Sequence, residues 1–142
     1  FEELAGIIEA KDLDLASLEV DPTEQDLIHA SAAGRGFAQS GGVANAVANK
    51  IKEWHPDMDV KIASAQGLAD CKKLLMLAKA GKYNGYLLEG MGCPGGCVAG
   101  AGTLRPVKES TASVERFKNA ASSMSTTESP YLGRLKDVEE KC

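Results

Sequence analysis

The chain predicts an α/β fold, a parallel sheet with a βαβαβ core flanked by helices. Short apolar or alternating runs that suit strands recur between longer stretches whose apolar residues repeat every three to four positions, the helical period. Gly, Pro and Asn-Gly punctuate the junctions between them. Two glycine-rich segments, 34–42 and 90–102, each follow directly on a predicted strand. Strands alternating with helices imply parallel pairing with right-handed crossovers. Ligands in such sheets sit beyond the carboxyl ends of the strands, so the two glycine-rich segments are expected to meet at one end of the sheet.

Element by element, Leu4, Ile7 and Ile8 give a short helical face. Residues 12–24 are acidic and run into Asp21-Pro22, a turn signal. The apolar stretch 27–33 reads as a buried first strand, broken by Gly34-Arg35-Gly36. Ser40 is placed to cap the next helix, whose stripe is Val43, Val47, Ile51 and Trp54, and His55-Pro56 ends it. Met58, Val60 and Ile62 alternate with polar residues as a second strand does. Leu68, Cys71, Leu74, Leu75 and Ala78 form another helical stripe, closed by Gly81. Asn84-Gly85 turns the chain into a third strand at 86–88, which delivers it into the second glycine-rich segment. Val114, Phe117, Ala121 and Met124 mark a later helix, 122–129 reads as a Ser/Thr-rich loop, and the polar tail, within 126–142, is expected to be partly disordered.

At 142 residues the chain suits one domain with its own core. A net charge of −4 argues against a general nucleic-acid role, because phosphate binding wants a basic face. No apolar run approaches the roughly 18 residues of a membrane span, and no basic start leads into an apolar stretch as in a signal peptide. The first residue is Phe1, so the expectation is a piece of a longer polypeptide, one lobe spanning 1–142. Its four cysteines are too few for a disulfide scaffold at this size. A reducing cytoplasm is the expected home, where clustered thiols point to metal or redox chemistry.

Cys93-Pro94-Gly95-Gly96-Cys97 concentrates that chemistry. Two thiols separated only by Pro and Gly lie on a loop whose backbone can approach something bulky. Iron–sulfur clusters are held by thiolates, usually four, and small residues between ligands let backbone N–H groups reach cluster sulfur. A redox dithiol normally has two intervening residues and a zinc pair two to four. The spacing leaves cluster, zinc, dithiol and two unremarkable thiols all open.

The surrounding residues narrow the choice. Glu89-Gly90-Met91-Gly92-Cys93-Pro94-Gly95-Gly96-Cys97, with Gly100 and Gly102 beyond, resembles the third signature of iron-only (FeFe) hydrogenases, Glu-x-Met-x-Cys-x-Gly-Gly-Cys with a glycine-rich close. Upstream, Phe37-Ala38-Gln39-Ser40-Gly41-Gly42-Val43 is similar to the family's Phe-x-x-x-Gly-Gly-Val loop. The resemblance covers roughly residues 1–110, the C-terminal part of the hydrogenase catalytic domain. It implies an H-cluster, a 4Fe–4S cubane joined through a cysteine sulfur to a two-iron unit, and reversible reduction of protons to dihydrogen. By the same resemblance Cys93 would ligate the cubane, and Cys97 would ligate it and bridge to the two-iron unit. Met91 would pack beside that unit and Phe37 would line its apolar side. Ser40 and Gly41, at a helix start, would turn backbone N–H groups to its cyanide-bearing side, unless they merely begin a capped helix.

The chain departs from the family in two ways. The signature usually closes with Gly-Gly-Gly-Gln-Pro, where this chain has Gly100-Ala101-Gly102-Thr103-Leu104. The two other signatures that supply cubane cysteines are not found in it. The fragment alone is therefore expected to be catalytically silent and to bind no cofactor, with the missing N-terminal lobe and a ferredoxin-like electron donor as its partners. A hydrogenase-like cluster carrier of iron–sulfur assembly and a zinc or thiol-redox module are the competing readings. Cys71 is expected in the core, Cys142, His29 and His55 without ligand roles, and Glu89 as a backbone acceptor that shapes the loop.

Overall fold

A computed structural model describes residues 1–19, 29–129 and 132. The elements are α1 (Glu2–Ala10), α2 (Ala32–Arg35), α3 (Gly42–Trp54), β1 (Lys61–Gln66), α4 (Leu68–Lys79), β2 (Tyr86–Met91) and α5 (Val107–Asn119). Short 3-10 turns lie at Gly36–Ala38, Cys97–Ala99 and Thr126–Glu128. The α/β class and the parallel sheet are as expected. β1 and β2 pair in parallel from Lys61 opposite Tyr86 to Gln66 opposite Met91, with α4 as the crossover.

The helices flank this pair on two sides. In β2, Gly90 faces α4, since a Cβ there would lie 3.2 Å from the Cys71 sulfur. Its neighbour Glu89 bonds to the start of α3. Successive strand residues point to opposite faces, so α3 and α4 cover opposite faces of the sheet. α5 packs on α2 and on the two 3-10 turns that carry the glycine-rich segments. Arg35 ties this corner together, donating to the carbonyls of Ala30 (3.0 Å) and Phe117 (2.7 Å).

The first expected strand does not form where it can be seen. Leu27 and Ile28 lie outside the described residues, and from Ala32 the chain is helical. Ser31 explains the outcome: its hydroxyl accepts the Gly34 N–H at 3.1 Å, an N-cap that turns the alanines into α2. The turn expected at Asp21-Pro22 also lies outside the described residues. The second strand begins later than read, at Lys61, leaving Met58 and Val60 in the connection.

Helical stripes are rotated from the sequence reading. The buried positions of α3 are Ala44 and Ala48, whereas Val47 and Trp54 are exposed. In α4, Leu74 is buried with Cys71 and Ala78 half-buried, while Leu68 and Leu75 face outward. α5 stops at Asn119; Ala121 is buried beyond its end and Met124 is exposed. The core thus consists of small residues, Ala32, Ala44, Ala48, Ala65 and Ala121, with Leu74 and Val98. Alanine faces let backbones approach closely but remove little apolar area from water per residue.

Candidate functional site

The two glycine-rich segments meet at the carboxyl end of the strands. The Ser40 N–H donates to the Gly95 carbonyl at 3.2 Å. Gly96 is buried with φ +95°, and a Cβ on it would lie 2.6 Å from the Ser40 nitrogen and 2.7 Å from the Ala38 oxygen. A side chain there is excluded by both its left-handed backbone and the neighbouring chain. Gly42 is as constrained on the other segment, where a Cβ would sit 1.9 Å from the Gly36 oxygen. These contacts give the glycines a packing role. At Gly96 the two segments' backbones touch, and at Gly42 the 34–42 segment folds against itself.

Glu89 fastens the junction from beneath. It is buried, and its carboxylate accepts the N–H of Gly41 at 2.6 Å and of Ala44 at 3.0 Å. This is a capping interaction at the start of α3, supplied from β2 rather than from the helix's own N-cap residue. The negative charge also sits where the helix dipole is positive. The expectation that Ser40 caps α3 is corrected accordingly. The cap position is Gly41, in the left-handed conformation at φ +87°, with no side-chain cap of its own. Glu89 does accept backbone bonds as expected, from α3 instead of from the cysteine loop.

That arrangement changes the reading of Ser40 and Gly41. Their N–H groups bond to Gly95 and Glu89, so they frame the loop from inside the protein instead of pointing at an external anion. Within the cysteine loop, the Gly95 N–H donates to the Gln66 side-chain oxygen at 2.7 Å and the Gly96 N–H to the Cys93 carbonyl at 3.0 Å. The backbone N–H groups between the cysteines are thus taken up within the protein. Pro94 has none, and those of Gly95 and Gly96 are engaged.

Met91 ends β2 and is half-buried; its carbonyl accepts the Gly67 N–H at 2.8 Å and the Cys71 thiol at 3.6 Å. Cys71 also donates to the Ala65 carbonyl at 3.6 Å, which places it between the two strands as a packed thiol. Cys93 is half-buried and Cys97 exposed, and both are free thiols. Cys97 opens the 3-10 turn Cys97–Ala99 and lines an open cavity of about 400 Å³ with Val98, Ala38, Thr103 and Leu104. Phe37, 44% exposed, lies on the adjoining turn, and Ala38 is the residue of that turn on the cavity wall.

Among the described residues no cluster of three or more His, Cys, Asp or Glu side chains gathers to hold a metal. Cys142 lies outside those residues. The donor set at this end of the sheet is thus two thiols on one loop, beside an apolar hollow and a half-buried thioether. That set suits a soft, sulfur-bound metal centre whose remaining ligands come from another part of a protein. No described helix is long and apolar enough to cross a membrane.

Sequence reasoning did not single out Gln66. It is the last residue of β1, four positions beyond the alternation of Met58, Val60 and Ile62 from which the strand was expected, and strand ends point at the site in a parallel sheet.

Comparison with known proteins places the chain beside a described family. The family model described as "Iron only hydrogenase large subunit, C-terminal domain" matches residues 1–101. The match ends at Ala101, where the glycine-rich close begins to depart from the family pattern. No curated protein matches the chain.

Proposed function

The chain belongs to the family formed by the C-terminal domain of iron-only hydrogenase large subunits, and from that premise we propose that it forms one lobe of a hydrogenase catalytic domain, spanning residues 1–142. Cys93 and Cys97 supply half of the thiolates that a 4Fe–4S cubane needs. The N-terminal lobe of the same polypeptide supplies the rest. The observation that carries this reading is the pair of free thiols on a loop locked against the 37–43 segment at the carboxyl end of a parallel sheet, with Cys97 open to an apolar hollow.

When bound, the H-cluster would supply the metal chemistry of reversible proton reduction to dihydrogen, with electrons from a ferredoxin-like donor in the cytoplasm. The chain's own part is to hold, orient and exclude. Cys93 and Cys97 ligate, Cys97 being the one that faces the hollow. Met91 presents its thioether from the end of β2, and its carbonyl is anchored by Gly67 and Cys71. Ala38, Val98 and Leu104 give the hollow an apolar flank that limits water, with Phe37 on the adjoining turn. Ser40 and Gly41 hold the loop in register through Gly95 and Glu89.

Metal content and activity test the proposal. After anaerobic reconstitution the isolated chain should retain no stoichiometric iron and evolve no dihydrogen. The whole catalytic domain should retain iron and evolve dihydrogen, and Cys97→Ser within it should abolish dihydrogen evolution. An isolated chain that holds iron and evolves the gas overturns the half-site. A whole domain that keeps full activity as Cys97→Ser overturns the ligand assignment.

A further inference from the structure

We infer that Gln66 is a positioning residue of the cysteine loop: it fixes the peptide between Cys93 and Cys97 so that the thiols stay open for a shared metal instead of closing on each other. The inference rests on the metal-site reading for its purpose, but its physical content concerns the thiols alone.

A loop of Pro and two glycines between cysteines is short and supple, so its ends are entropically cheap to join. Left unrestrained, such thiols meet readily and form a disulfide. Here the Gly95 residue is gripped from two sides. Its N–H donates to the Gln66 side-chain oxygen at 2.7 Å and its carbonyl accepts the Ser40 N–H at 3.2 Å. The grip holds Gly95 at φ +94° and Gly96 at φ +95°, conformations open to glycine. Pro94 is placed beside the same strand end, since a Cβ on Gly67 would lie 3.7 Å from its Cγ. The carboxyl end of β1 therefore clamps the apex of the loop, while Ser40 and the wedge at Gly96 clamp its far side. Of these contacts, the Gln66 bond is made by an exposed side chain and can be altered without disturbing the core. Gln66 otherwise belongs to neither of the segments that resemble the family signatures.

The test is free of metal. The reduced chain is equilibrated anaerobically with glutathione buffers, trapped, and the Cys93–Cys97 disulfide quantified by peptide mass. In the exchange the two thiols give up two electrons and two protons as their S–S bond forms. Oxidised glutathione takes up both as its own S–S bond breaks into two thiols. Gln66→Leu removes the acceptor and should raise the equilibrium constant for the disulfide about three- to tenfold, the worth of one ordinary hydrogen bond. It should also speed amide exchange at Gly95 while leaving β1 and β2 protected. Gln66→Glu keeps an acceptor in place and should restore both readouts to near the wild-type values. A Leu variant with the wild-type equilibrium, or a Glu variant shifted as far as Leu, overturns the inference. Since no iron is present, either failure leaves the cluster proposal to the reconstitution experiment.

Discussion

At the residue scale, the glycines of the cysteine region differ in what crowds them, because the 37–43 segment lies against some of them and not others. Gly96 and Gly92 make the contrast testable. Gly96 has φ +95°, and a methyl group added to it would lie under 3.0 Å from backbone atoms of Ala38 and Ser40, whereas one added to Gly92 would meet nothing within 4 Å. With ψ −167° the Gly96 backbone is one that only glycine adopts readily, at a cost to other residues of about 1–3 kcal/mol, and the displaced 37–43 segment adds to it. Gly96→Ala should therefore lower stability by more than about 2 kcal/mol in urea titration, with Gly92→Ala within about 0.5 kcal/mol of wild type. Equal midpoints for the two variants would mean that the loop does not rest on the 37–43 segment. Pairs of Cys with Pro and Gly between them stand out in any reading of the chain, and the flanking Glu89 and Met91 completed a recognisable string. What the string could not say is which backbone atoms crowd each glycine, because that depends on a segment some 55 residues earlier.

At the element scale, α1, α3, α4 and α5 were legible as helices and α2, read as the end of a strand, was not; nor was the face that the longer helices bury. Periodicity finds apolar positions; it does not weigh a large residue against a small one when a tether from outside decides the approach. In α3 the tether is Glu89 at the N-terminus, and it brings Ala44 and Ala48 inward in place of Val47 and Trp54. A second tether acts at the other end. The Ser125 hydroxyl donates to the Glu53 carboxylate, as do Lys50 at 2.9 Å and Thr127 at 3.0 Å, so the last turn of α3 is tied to the Thr126–Glu128 turn. The bond from Ser125, then those from Lys50 and Thr127, draw the Glu53 pKa down from about 4.5 to about 2. A depressed carboxylate pKa means that the folded state prefers the ionised form more than the unfolded state does. Its stabilisation is present above pH 4.5 and fades as the pH falls toward 2. The group is exposed, so the gain is small, but its titration is direct to read. Ser125→Ala should move the Glu53 pKa up toward the ordinary carboxylate range, as followed by side-chain NMR. An unmoved titration would show that the hydroxyl does not hold this carboxylate in solution.

At the scale of the whole molecule, the fold carries more apolar surface than its own elements cover. The described sheet has two strands, both with an unpaired outer edge among the described residues, and the core is made largely of alanine. Among the described residues no large side chain is fully buried, while Trp54, Leu68 and Leu75 are each more than 60% exposed. Leu68 and Leu75 stand two turns apart on α4, with Met76 adjoining, and form an exposed apolar strip interrupted by Lys72. A chain that buries so little of its leucine and tryptophan area gains little of the roughly 25 cal/mol per Å² that burial supplies. The proposed partnership with the remaining lobe of the catalytic domain accounts for this imbalance, since a partner that binds only the folded state stabilises it by mass action. The isolated chain is accordingly expected to bind a hydrophobic dye and to melt at low temperature. Adding the remaining lobe in trans should displace the dye and raise the melting temperature in a concentration-dependent way. Leu68→Glu with Leu75→Glu should leave the isolated chain folded, because neither side chain is in its core, yet weaken that rise. If the lobe leaves the melting temperature unchanged at every concentration, or if the double variant responds to it as fully as wild type, then the α4 strip is not where the two halves of the domain meet.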